Sequence, residues 1–216
     1  MKFTKMHGCG NDYVYVNLFE EKLDDPARVS IYVSDRHFGI GSDGLITIGP
    51  SDKAAFRMRI YNADGSEAEM CGNGIRCVAK YVYDHKLTDK TEISVETGAG
   101  IKYLTLYVEE NKVSQVRVDM GEPILTPGDI PVVKADGSAY GDDYRVIDEP
   151  ISAGNREWHM TCVSMGNPHA VVFVDDVAGF ELEKYGPLFE NHKMFPKRTN
   201  TEFVEILSRN EAKMRV

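Results

Sequence analysis

Two short segments of this chain recur at one offset of 156 residues. Gly10-Asn11 precedes a predicted strand, and Gly166-Asn167 precedes another in the second part of the chain. Arg57-Met58-Arg59-Ile60 is matched at the same offset by Lys213-Met214-Arg215-Val216. Each match is short, but two matches in the same order at one spacing indicate an internal duplication. The chain is therefore expected to fold as two related halves.

The predicted elements divide into an N-terminal half, residues 1–118, and a C-terminal half, residues 119–216. The stretch 123–150 is rich in Pro, Gly and Asp and marks the boundary region. Within the segment 6–17, residues 8–12 are expected to form a loop that leads into a strand. Apolar alternation predicts strands near residues 13–16, 45–48, 56–61, 101–108, 113–120, 159–163, 170–174 and 202–207. Helices are predicted at 26–34, 72–85 and 182–191, the last interrupted at Gly186-Pro187.

This alternation of strands and helices indicates an α/β chain, or a mixed α+β one. The segment 72–85 has few charges and an apolar face formed by Ile75, Val78, Ala79 and Val82. A helix of this composition is expected to be largely enclosed by sheet.

The duplication also predicts that the second half is incomplete. Cys71 follows Ile60 by eleven residues, so its counterpart is expected about eleven residues after Val216. The sequence ends within a predicted strand, and an unfinished edge strand is a liability for a protein. We therefore expect a truncated or partial chain, with a genuine short variant as the alternative.

Composition restricts the classes of function. The net charge is −9, from 25 basic and 34 acidic residues, and the basic residues are scattered, which argues against a nucleic-acid surface. The N-terminus lacks the apolar core of a signal peptide, and the longest apolar run, 170–174, is too short to span a membrane. Four irregularly spaced cysteines fit neither a disulfide scaffold nor a zinc site. A reduced, cytoplasmic protein is expected.

Cys71 lies in the run Met70-Cys71-Gly72-Asn73-Gly74-Ile75-Arg76-Cys77, directly before the predicted helix. A helix N-terminus presents backbone N–H groups that lower the pKa of a thiol and bind carboxylate or phosphate. This run can therefore supply a proton-transfer group and an anion site together. The simpler interpretation of Cys71 is a small buried cysteine before a glycine turn. We interpret the other three cysteines, Cys9, Cys77 and Cys162, as structural.

Two halves that each present such a thiol suit the inversion of a stereocentre. One group removes a proton from one face of a carbon, and the other returns a proton to the opposite face. A thiol, with an ordinary pKa of about 8.5, can serve as base or acid near neutral pH. The helix N-termini would bind the carboxylate and stabilise the charge that develops.

Several motifs, found from residue 3 to the end of the chain, resemble those of the diaminopimelate epimerase family. They are Met6-His7-Gly8-Cys9-Gly10-Asn11-Asp12-Tyr13-Val14, Arg36-His37-Phe38-Gly39-Ile40-Gly41-Ser42-Asp43-Gly44, Asn62-Ala63-Asp64-Gly65-Ser66, Met70 to Cys77, Gly166-Asn167-Pro168-His169 and Phe195-Pro196-Lys197-Arg198-Thr199-Asn200. The resemblance implies an epimerase that needs no cofactor and interconverts LL- and meso-diaminopimelate, a small-molecule substrate, in lysine biosynthesis. It also implies two pseudo-symmetric α/β domains, each a mixed sheet wrapped around a central helix, with the site between them.

Site residues follow from the resemblance by position. Cys71 would be one catalytic acid/base, and His169 would tune the protonation of the thiols. Backbone N–H groups of Gly72 and Asn73 would bind the reacting carboxylate. The side chains that would hold the rest of the substrate are those of Asn11, Asn62, Asn167 and Asn200.

The chain departs from the family pattern in two ways. Some members have a substrate-contacting Gln at the position of Gly44, so no side-chain role is assigned there. The family's second catalytic cysteine, its anion-binding loop and a Glu-Arg pair would lie beyond Val216, and the 216-residue form is therefore predicted to be inactive in epimerisation.

Two other functions stay open. A proline racemase-like isomerase is the nearest enzymatic alternative, although those proteins tend to have His where this chain has Asn73. A non-catalytic protein that binds an amino acid through the same asparagines is the alternative from another class. A homodimer is compatible with the sequence, which does not fix the oligomeric state.

Overall fold

The computed structural model describes residues 1–216, which divide into two compact units, Met1–Met120 and Gly121–Val216. Each unit is built on one mixed sheet with at least one helix packed against it. No helix in the structure combines the length and the apolar character needed to cross a membrane.

The first unit contains an eight-stranded sheet with the order β1-β2-β3-β4-β6-β7-β8, in which the short β5 pairs with β4. Its strands are β1 Thr4–Gly8, β2 Asn11–Asn17, β3 Gly44–Gly49, β4 Phe56–Asn62, β5 Glu67–Ala68, β6 Glu92–Thr97, β7 Gly100–Glu109 and β8 Lys112–Asp119. The pairs β2–β3 and β4–β6 are parallel, and the remaining pairs are antiparallel. Two helices, α1 Pro26–Ser34 and α2 Gly72–Asp84, complete the unit.

Helix α2 is the centre of the first unit. It packs against β1, β2, β7 and β8, and its apolar face is fully buried, as the sequence predicts. Helix α1 packs on the opposite side of the sheet, against β2, β3 and β4. Because β2 lies between the two helices, Val14 and Val16 pack toward α1 while Tyr13 and Tyr15 pack toward α2. A run that is apolar at every position is expected of a strand covered on both faces.

The second unit contains a five-stranded sheet with the order β13-β12-β11-β10-β9. Its strands are β9 Glu149–Ala153, β10 Arg156–Ser164, β11 Pro168–Phe173, β12 Asn200–Ser208 and β13 Glu211–Arg215, and its helix is α3 Leu182–Glu190. The pair β11–β12 is parallel, and the others are antiparallel. Trp158, Phe189 and Phe203 form the aromatic centre of its core, with Trp158 and Phe203 each edge-on to Phe189.

Four strands of each sheet repeat the same arrangement. Strands β1 to β4 and β10 to β13 share one order and one sequence of antiparallel, parallel and antiparallel pairs. The register repeats at the offset of 156 residues: Thr47 pairs with Arg59, and Phe203 pairs with Arg215. Helix α3 likewise begins and ends 156 residues after helix α1. The two-domain α/β fold expected from the sequence is confirmed.

Some predicted elements were wrong. The loop expected at residues 8–12 is reduced to a two-residue turn at Cys9 and Gly10, both with positive φ (54° and 88°), which joins the unpredicted strand β1 to β2. Such a turn matches the right-handed twist of a hairpin. Helix α3 is continuous through Gly186 and Pro187. Pro187 has no N–H to donate to the carbonyl of Glu183, but its own carbonyl accepts from the N–H of Asn191 at 3.2 Å, and the helix continues to Glu190.

Candidate active site

Cys71 is the N-cap residue of α2. Its backbone is extended (φ −142°), and its carbonyl accepts the first helical hydrogen bond, from the N–H of Ile75 at 3.0 Å. The Cys71 Sγ accepts the N–H of Gly74 at 3.2 Å. The thiol therefore performs the capping task that Ser or Asp performs in most helices.

The first turn of α2 presents backbone N–H groups, and groups of this kind can bind an anion. A helix leaves its first N–H groups without an intrahelical acceptor, so those of Gly72 and Asn73 are available beside the Cys71 sulfur. The side chain of Asn73 is engaged elsewhere, since its Oδ1 accepts from Arg76 at 2.6 Å. At this helix start the groups of Gly72 and Asn73 that could meet an anion are therefore their backbone N–H groups.

Gly74 is a steric requirement of this turn. A Cβ at Gly74 would lie 2.6 Å from Cδ1 of Ile46 and 3.3 Å from the Cys71 Sγ. At Gly72 a Cβ would meet only Cε of Met120, at 3.8 Å. The absence of a side chain at Gly74 lets the start of α2 approach the side chain of Ile46 in β3.

The side chain of Asn11 contacts the thiol. The Cys71 thiol donates to Oδ1 of Asn11 at 3.3 Å, although the two residues are 60 positions apart. The Asn11 Nδ2 donates to Oδ2 of Asp43 at 2.7 Å, and the backbone N–H of Asp12 donates to the same oxygen at 3.0 Å. Asn11 thus links the thiol to an acidic side chain at the start of β3.

An ion-pair cluster supports Asp43. The guanidinium Nη2 of Arg36 lies 2.9 Å from Oδ1 of Asp43 and 2.8 Å from Oδ1 of Asp12. The Lys5 Nζ lies 3.0 Å from the other oxygen of Asp12 and also donates to the carbonyl of Gly41. Arg36 and then Lys5 lower the pKa of the Asp12 carboxyl to about 2, against the opposing effect of burial.

Two buried tyrosines lie beneath the thiol. Burial raises the pKa of the Tyr13 hydroxyl far above its usual value, and the neighbouring Cys71 sulfur adds to the effect. Burial likewise raises the pKa of Tyr15, whose hydroxyl reaches the carbonyl of Gly74 at 3.5 Å. Both phenols therefore remain protonated at neutral pH.

Asn62 ends β4 at the same edge of the sheet. Tyr13 pairs with Gly44, and Gly44 pairs with Asn62, so the three residues form one row across β2, β3 and β4. The Asn62 Nδ2 donates to Oγ of Ser66 at 3.0 Å. In this structure a Cβ at Gly44 would collide with the carbonyl of Tyr61, so a larger residue here would require β3 and β4 to shift.

In the second unit the predicted site residues lie where β11 and β12 begin. His169 pairs with Asn200 across the parallel strands, and Asn200 donates to the carbonyl of Pro168 at 3.1 Å. The turn that precedes β11 contains Gly166, with φ 107°, and Asn167. His169 Nδ1 lies 2.6 Å from Oε1 of Glu202, a residue that is 8% exposed.

Of the four cysteines, Cys71 is the half-buried one. Cys9 is exposed in the β1–β2 turn, and its sulfur lies 3.7 Å from an Arg76 nitrogen. Cys77 and Cys162 are buried, and burial raises the pKa of both thiols, that of Cys162 to about 12. No group of three or more His, Cys, Asp or Glu side chains is placed to hold a metal ion.

A family model described as diaminopimelate epimerase matches residues 3–126 and 161–216. The diaminopimelate epimerase of Agathobacter rectalis is 99% identical over 216 residues, which are the whole of this chain and 76% of that protein. Diaminopimelate epimerases of Methanococcus maripaludis and Acetivibrio thermocellus are each 57% identical over the whole chain, which covers 76% and 75% of their lengths. The chain belongs to the diaminopimelate epimerase family.

Membership of the diaminopimelate epimerase family makes this chain an isomerase of the epimerase type, with a place in lysine biosynthesis. Solved structures agree in fold. A probable proline racemase from Agrobacterium radiobacter matches with a TM-score of 0.62 at 12% identity, over 98% of this chain and 68% of that one. A phenazine biosynthesis protein of the PhzF family from Bacillus anthracis matches with a TM-score of 0.60 at 18% identity, over 100% and 72%.

The structure brings some of the predicted epimerase residues together. In the first unit the thiol of Cys71 lies beside Asn11 and the helix start at Gly72 and Asn73. Asn62 ends β4 at the same side of the sheet, and its amide donates to Ser66. In the second unit Asn167, His169 and Asn200 share one strand end. The chemical roles of these residues remain predictions.

Sequence reasoning gave no role to several residues that the structure connects to this site. Asp43 and Arg36 lie in a quoted family motif, but their contacts with Asn11 and Asp12 form only when β2 and β3 pair. Glu202 begins the strand predicted near residues 202–207. Its contact with His169 follows from the parallel register of β11 and β12. No local sequence signal indicates either contact.

Proposed function

We propose that this chain supplies one half of a two-thiol site that interconverts LL- and meso-diaminopimelate, with Cys71 as the acid/base for one face of the α-carbon. The observation that carries the proposal is the surroundings of the Cys71 sulfur, which lies 3.2 Å from the N–H of Gly74 and 3.3 Å from the Asn11 carbonyl. One neighbour donates and the other accepts. The sulfur can therefore be held as a thiolate or as a thiol.

The proposed step is a proton transfer. As a thiolate, Cys71 takes the α-proton, and the electrons of the C–H bond pass into the substrate carboxylate. Backbone N–H groups at the start of α2, those of Gly72 and Asn73, stabilise the negative charge that develops on this carboxylate. The step uses only groups of the protein and the substrate, and it leaves Cys71 as a thiol.

The opposite face requires a second acid/base. The repeat predicts it as a thiol 156 residues after Cys71, which is beyond Val216. Cys162, the one cysteine of the second unit, is buried within the core and does not lie at a helix N-terminus. We therefore expect that the 216 residues alone do not epimerise the substrate.

The remaining predicted residues are proposed to bind the substrate. Asn62, Asn167 and Asn200 would hold it, including the distal amino-acid end that does not react. His169, with Nδ1 at the Glu202 carboxylate, would leave Nε2 to influence the protonation of the thiols.

Proton NMR of LL-diaminopimelate in D2O under reductant tests the proposal. The 216-residue chain and the longer Agathobacter rectalis protein would be compared side by side. Loss of the α-proton signal with formation of the meso product, in the longer protein only, is the expected result. Meso product from the 216-residue chain would show that a thiol beyond Val216 is not required.

The same experiment separates the alternatives. Absence of exchange in both proteins would direct attention to another amino-acid substrate, as in a proline racemase-like isomerase. Tight binding of diaminopimelate without α-proton exchange in the longer protein would favour a non-catalytic binding protein.

A further inference from the structure

The side-chain amide of Asn11 has three polar side chains around it: the carboxylate of Asp43, the thiol of Cys71 and the hydroxyl of Tyr13. A thiol and a hydroxyl can each donate or accept a hydrogen bond, so neither determines which way the amide faces. An ionised carboxylate can only accept. Asp43 is therefore the neighbour that decides the orientation.

The distances make this choice strict. The Asn11 nitrogen lies 2.7 Å from Oδ2 of Asp43. If the amide were turned over, its carbonyl oxygen would face a carboxylate oxygen at that separation, with no proton between them. The Asn11 carbonyl must therefore face Cys71, as the 3.3 Å contact to the sulfur indicates.

Asp43 is itself fixed on both oxygens. Oδ1 accepts from Arg36 at 2.9 Å, and Oδ2 accepts from the backbone N–H of Asp12 at 3.0 Å. Arg36 has only donors and is permanently charged, so it holds a carboxylate at this place. The bidentate contact of Arg36 with Asp12, at 2.8 and 3.3 Å, fixes the guanidinium in turn.

We propose that Asp43, held by Arg36, is a positioning residue that turns the Asn11 carbonyl toward Cys71 and so supports the proton-carrying state of the thiol. This inference rests on the proposed function, because it takes Cys71 as the acid/base. The Asn11 carbonyl accepts the S–H proton when Cys71 is a thiol, and the Gly74 N–H supports the sulfur when the proton has left. Asp43 contacts neither the sulfur nor the reacting carbon.

The pH dependence of Cys71 alkylation in the 216-residue chain tests the proposal without any substrate. Trypsin cleaves after Arg59 and Arg76, so Cys71 is recovered on a peptide that contains no other cysteine, and mass spectrometry reads its iodoacetamide labelling alone. Asp43→Asn frees the Asn11 amide to turn its NH2 group toward the sulfur. A donor there stabilises the thiolate, so the pH midpoint of labelling is expected to fall by about one unit.

Two comparisons separate orientation from simple loss of charge. In an Asn11→Ala background, Asp43→Asn should lose most of its effect on the midpoint, because no amide is left to turn. Asp43→Glu keeps an acceptor-only carboxylate and should retain the unmodified midpoint. Asp12→Asn removes a charge from the same Arg36 without touching the Asn11 amide, and it measures the purely electrostatic part.

Three results would overturn the proposal: an unchanged midpoint in folded Asp43→Asn, an equal shift in the Asn11→Ala background, or an equal shift with Asp12→Asn. Should Asp43→Asn fail to fold, NMR of the unmodified chain decides the matter. The Asn11 side-chain amide protons are expected to show an NOE to the backbone amide proton of Asp12, since both groups point at Oδ2 of Asp43. NOEs to the Cys71 β-protons instead would show the opposite orientation.

The labelling experiment tests the orienting role of Asp43, and the epimerisation experiment tests the proposed function, so either claim can be refuted without the other. A shifted midpoint with no epimerisation by the longer protein would support the orienting role and refute the proposed function. Epimerisation by the longer protein with an unchanged midpoint would support the proposed function and refute the orienting role of Asp43.

Discussion

The Nδ1 atom of His169 lies 2.6 Å from Oε1 of Glu202, a residue of β12 two positions beyond the register partner of His169, Asn200, in the parallel pair β11–β12. Glu202 is buried, and its second oxygen has no hydrogen-bond partner in the structure. Burying a carboxylate with one oxygen unpaired costs free energy. We therefore expect Glu202 to orient the imidazole rather than to stabilise the fold.

The first prediction concerns the tautomer of His169. Because the carboxylate accepts from Nδ1, neutral His169 should carry its proton on Nδ1. Glu202→Leu removes the acceptor, so the proton should move largely to Nε2, whereas Glu202→Gln keeps a carbonyl that can accept. Imidazole 15N chemical shifts at about pH 9, where an ordinary His is neutral, report the tautomer directly.

His159 is an internal control in the same spectra. Its Nδ1 lies 3.0 Å from the backbone carbonyl of Asp148, and this contact does not involve Glu202. The His159 resonances should therefore stay unchanged in both variants. If His169 keeps its Nδ1 proton in Glu202→Leu, the orienting role of Glu202 is wrong.

The second prediction separates the two tasks of Cys71. Cys71→Ser keeps an N-cap acceptor for the Gly74 N–H, while Cys71→Ala removes it. Loss of a cap costs about 0.5 to 2 kcal/mol, so Cys71→Ala should be less stable than Cys71→Ser by roughly that amount. Urea unfolding of the 216-residue chain measures the difference.

Catalysis should respond differently. In the longer Agathobacter rectalis protein, Cys71→Ala is expected to abolish epimerisation with the fold near intact, and Cys71→Ser is expected to lose most of it, since a hydroxyl is a far weaker base than a thiolate. Near-normal turnover by the alanine variant would refute the assignment of Cys71 as an acid/base.

Much of the fold could be predicted from the sequence because the strong patterns belong to buried elements. Helix α2 shows a helical apolar stripe, and the central parts of β2 and β3, residues 13–16 and 45–48, are apolar at every position except Thr47 since both faces are covered. The repeat offset of 156 residues is also present in the folded sheets, since Thr47 pairs with Arg59 and Phe203 pairs with Arg215. Patterns of this kind reflect burial, which is what periodicity detects.

The missed elements are those in which burial is partial. Strand β1 alternates between half-buried and exposed positions at the sheet edge, and β6 contributes only Ile93 and Val95 as buried apolar side chains. The hairpin turn at Cys9-Gly10 lacks the Asn-Gly or Asp-Gly pair that usually marks such turns.

For the site, the thiol and its helix N-terminus could be inferred from local sequence alone. The contact between Cys71 and Asn11 could be expected only through the family resemblance, because the residues are 60 positions apart. The support of Asn11 by Asp43 depends on the pairing of β2 with β3, and that of His169 by Glu202 depends on a register. Local patterns contain no information about such pairings.

The third prediction concerns the close contact at the start of α2. Alanine raises helix propensity at both Gly72 and Gly74, by at most about 1 kcal/mol. At Gly74, however, the new Cβ would press on Ile46 and on the Cys71 sulfur, and such overpacking costs about 1 to 3 kcal/mol. Gly74→Ala should therefore be less stable than Gly72→Ala, by about 1 to 2 kcal/mol in urea unfolding.

The displaced sulfur gives a second readout of the same pair. Gly74→Ala should change the rate of Cys71 alkylation at fixed pH, and Gly72→Ala, which leaves the N–H and the sulfur in place, should not. Equal stability and equal labelling of the two variants would contradict the steric role assigned to Gly74.

The fourth prediction concerns the acid side of the stability curve. Arg36 and Lys5 lower the pKa of Asp12 from 3.8 to about 2, so this carboxylate stabilises the folded state above its unfolded pKa, and the contribution is lost as the pH falls toward 2. Because Arg36 is partly exposed, we expect the contribution to be about 1 to 2 kcal/mol at neutral pH.

Asp12→Asn should lose this amount of stability at pH 6, about half as much at pH 3, and less below. Urea unfolding at each pH checks the trend, with Asp52→Asn, at an exposed carboxylate, as the control. A difference between Asp12→Asn and the unmodified chain that is constant from pH 6 to pH 3 would show that the ion-pair cluster does not stabilise the fold through its charge.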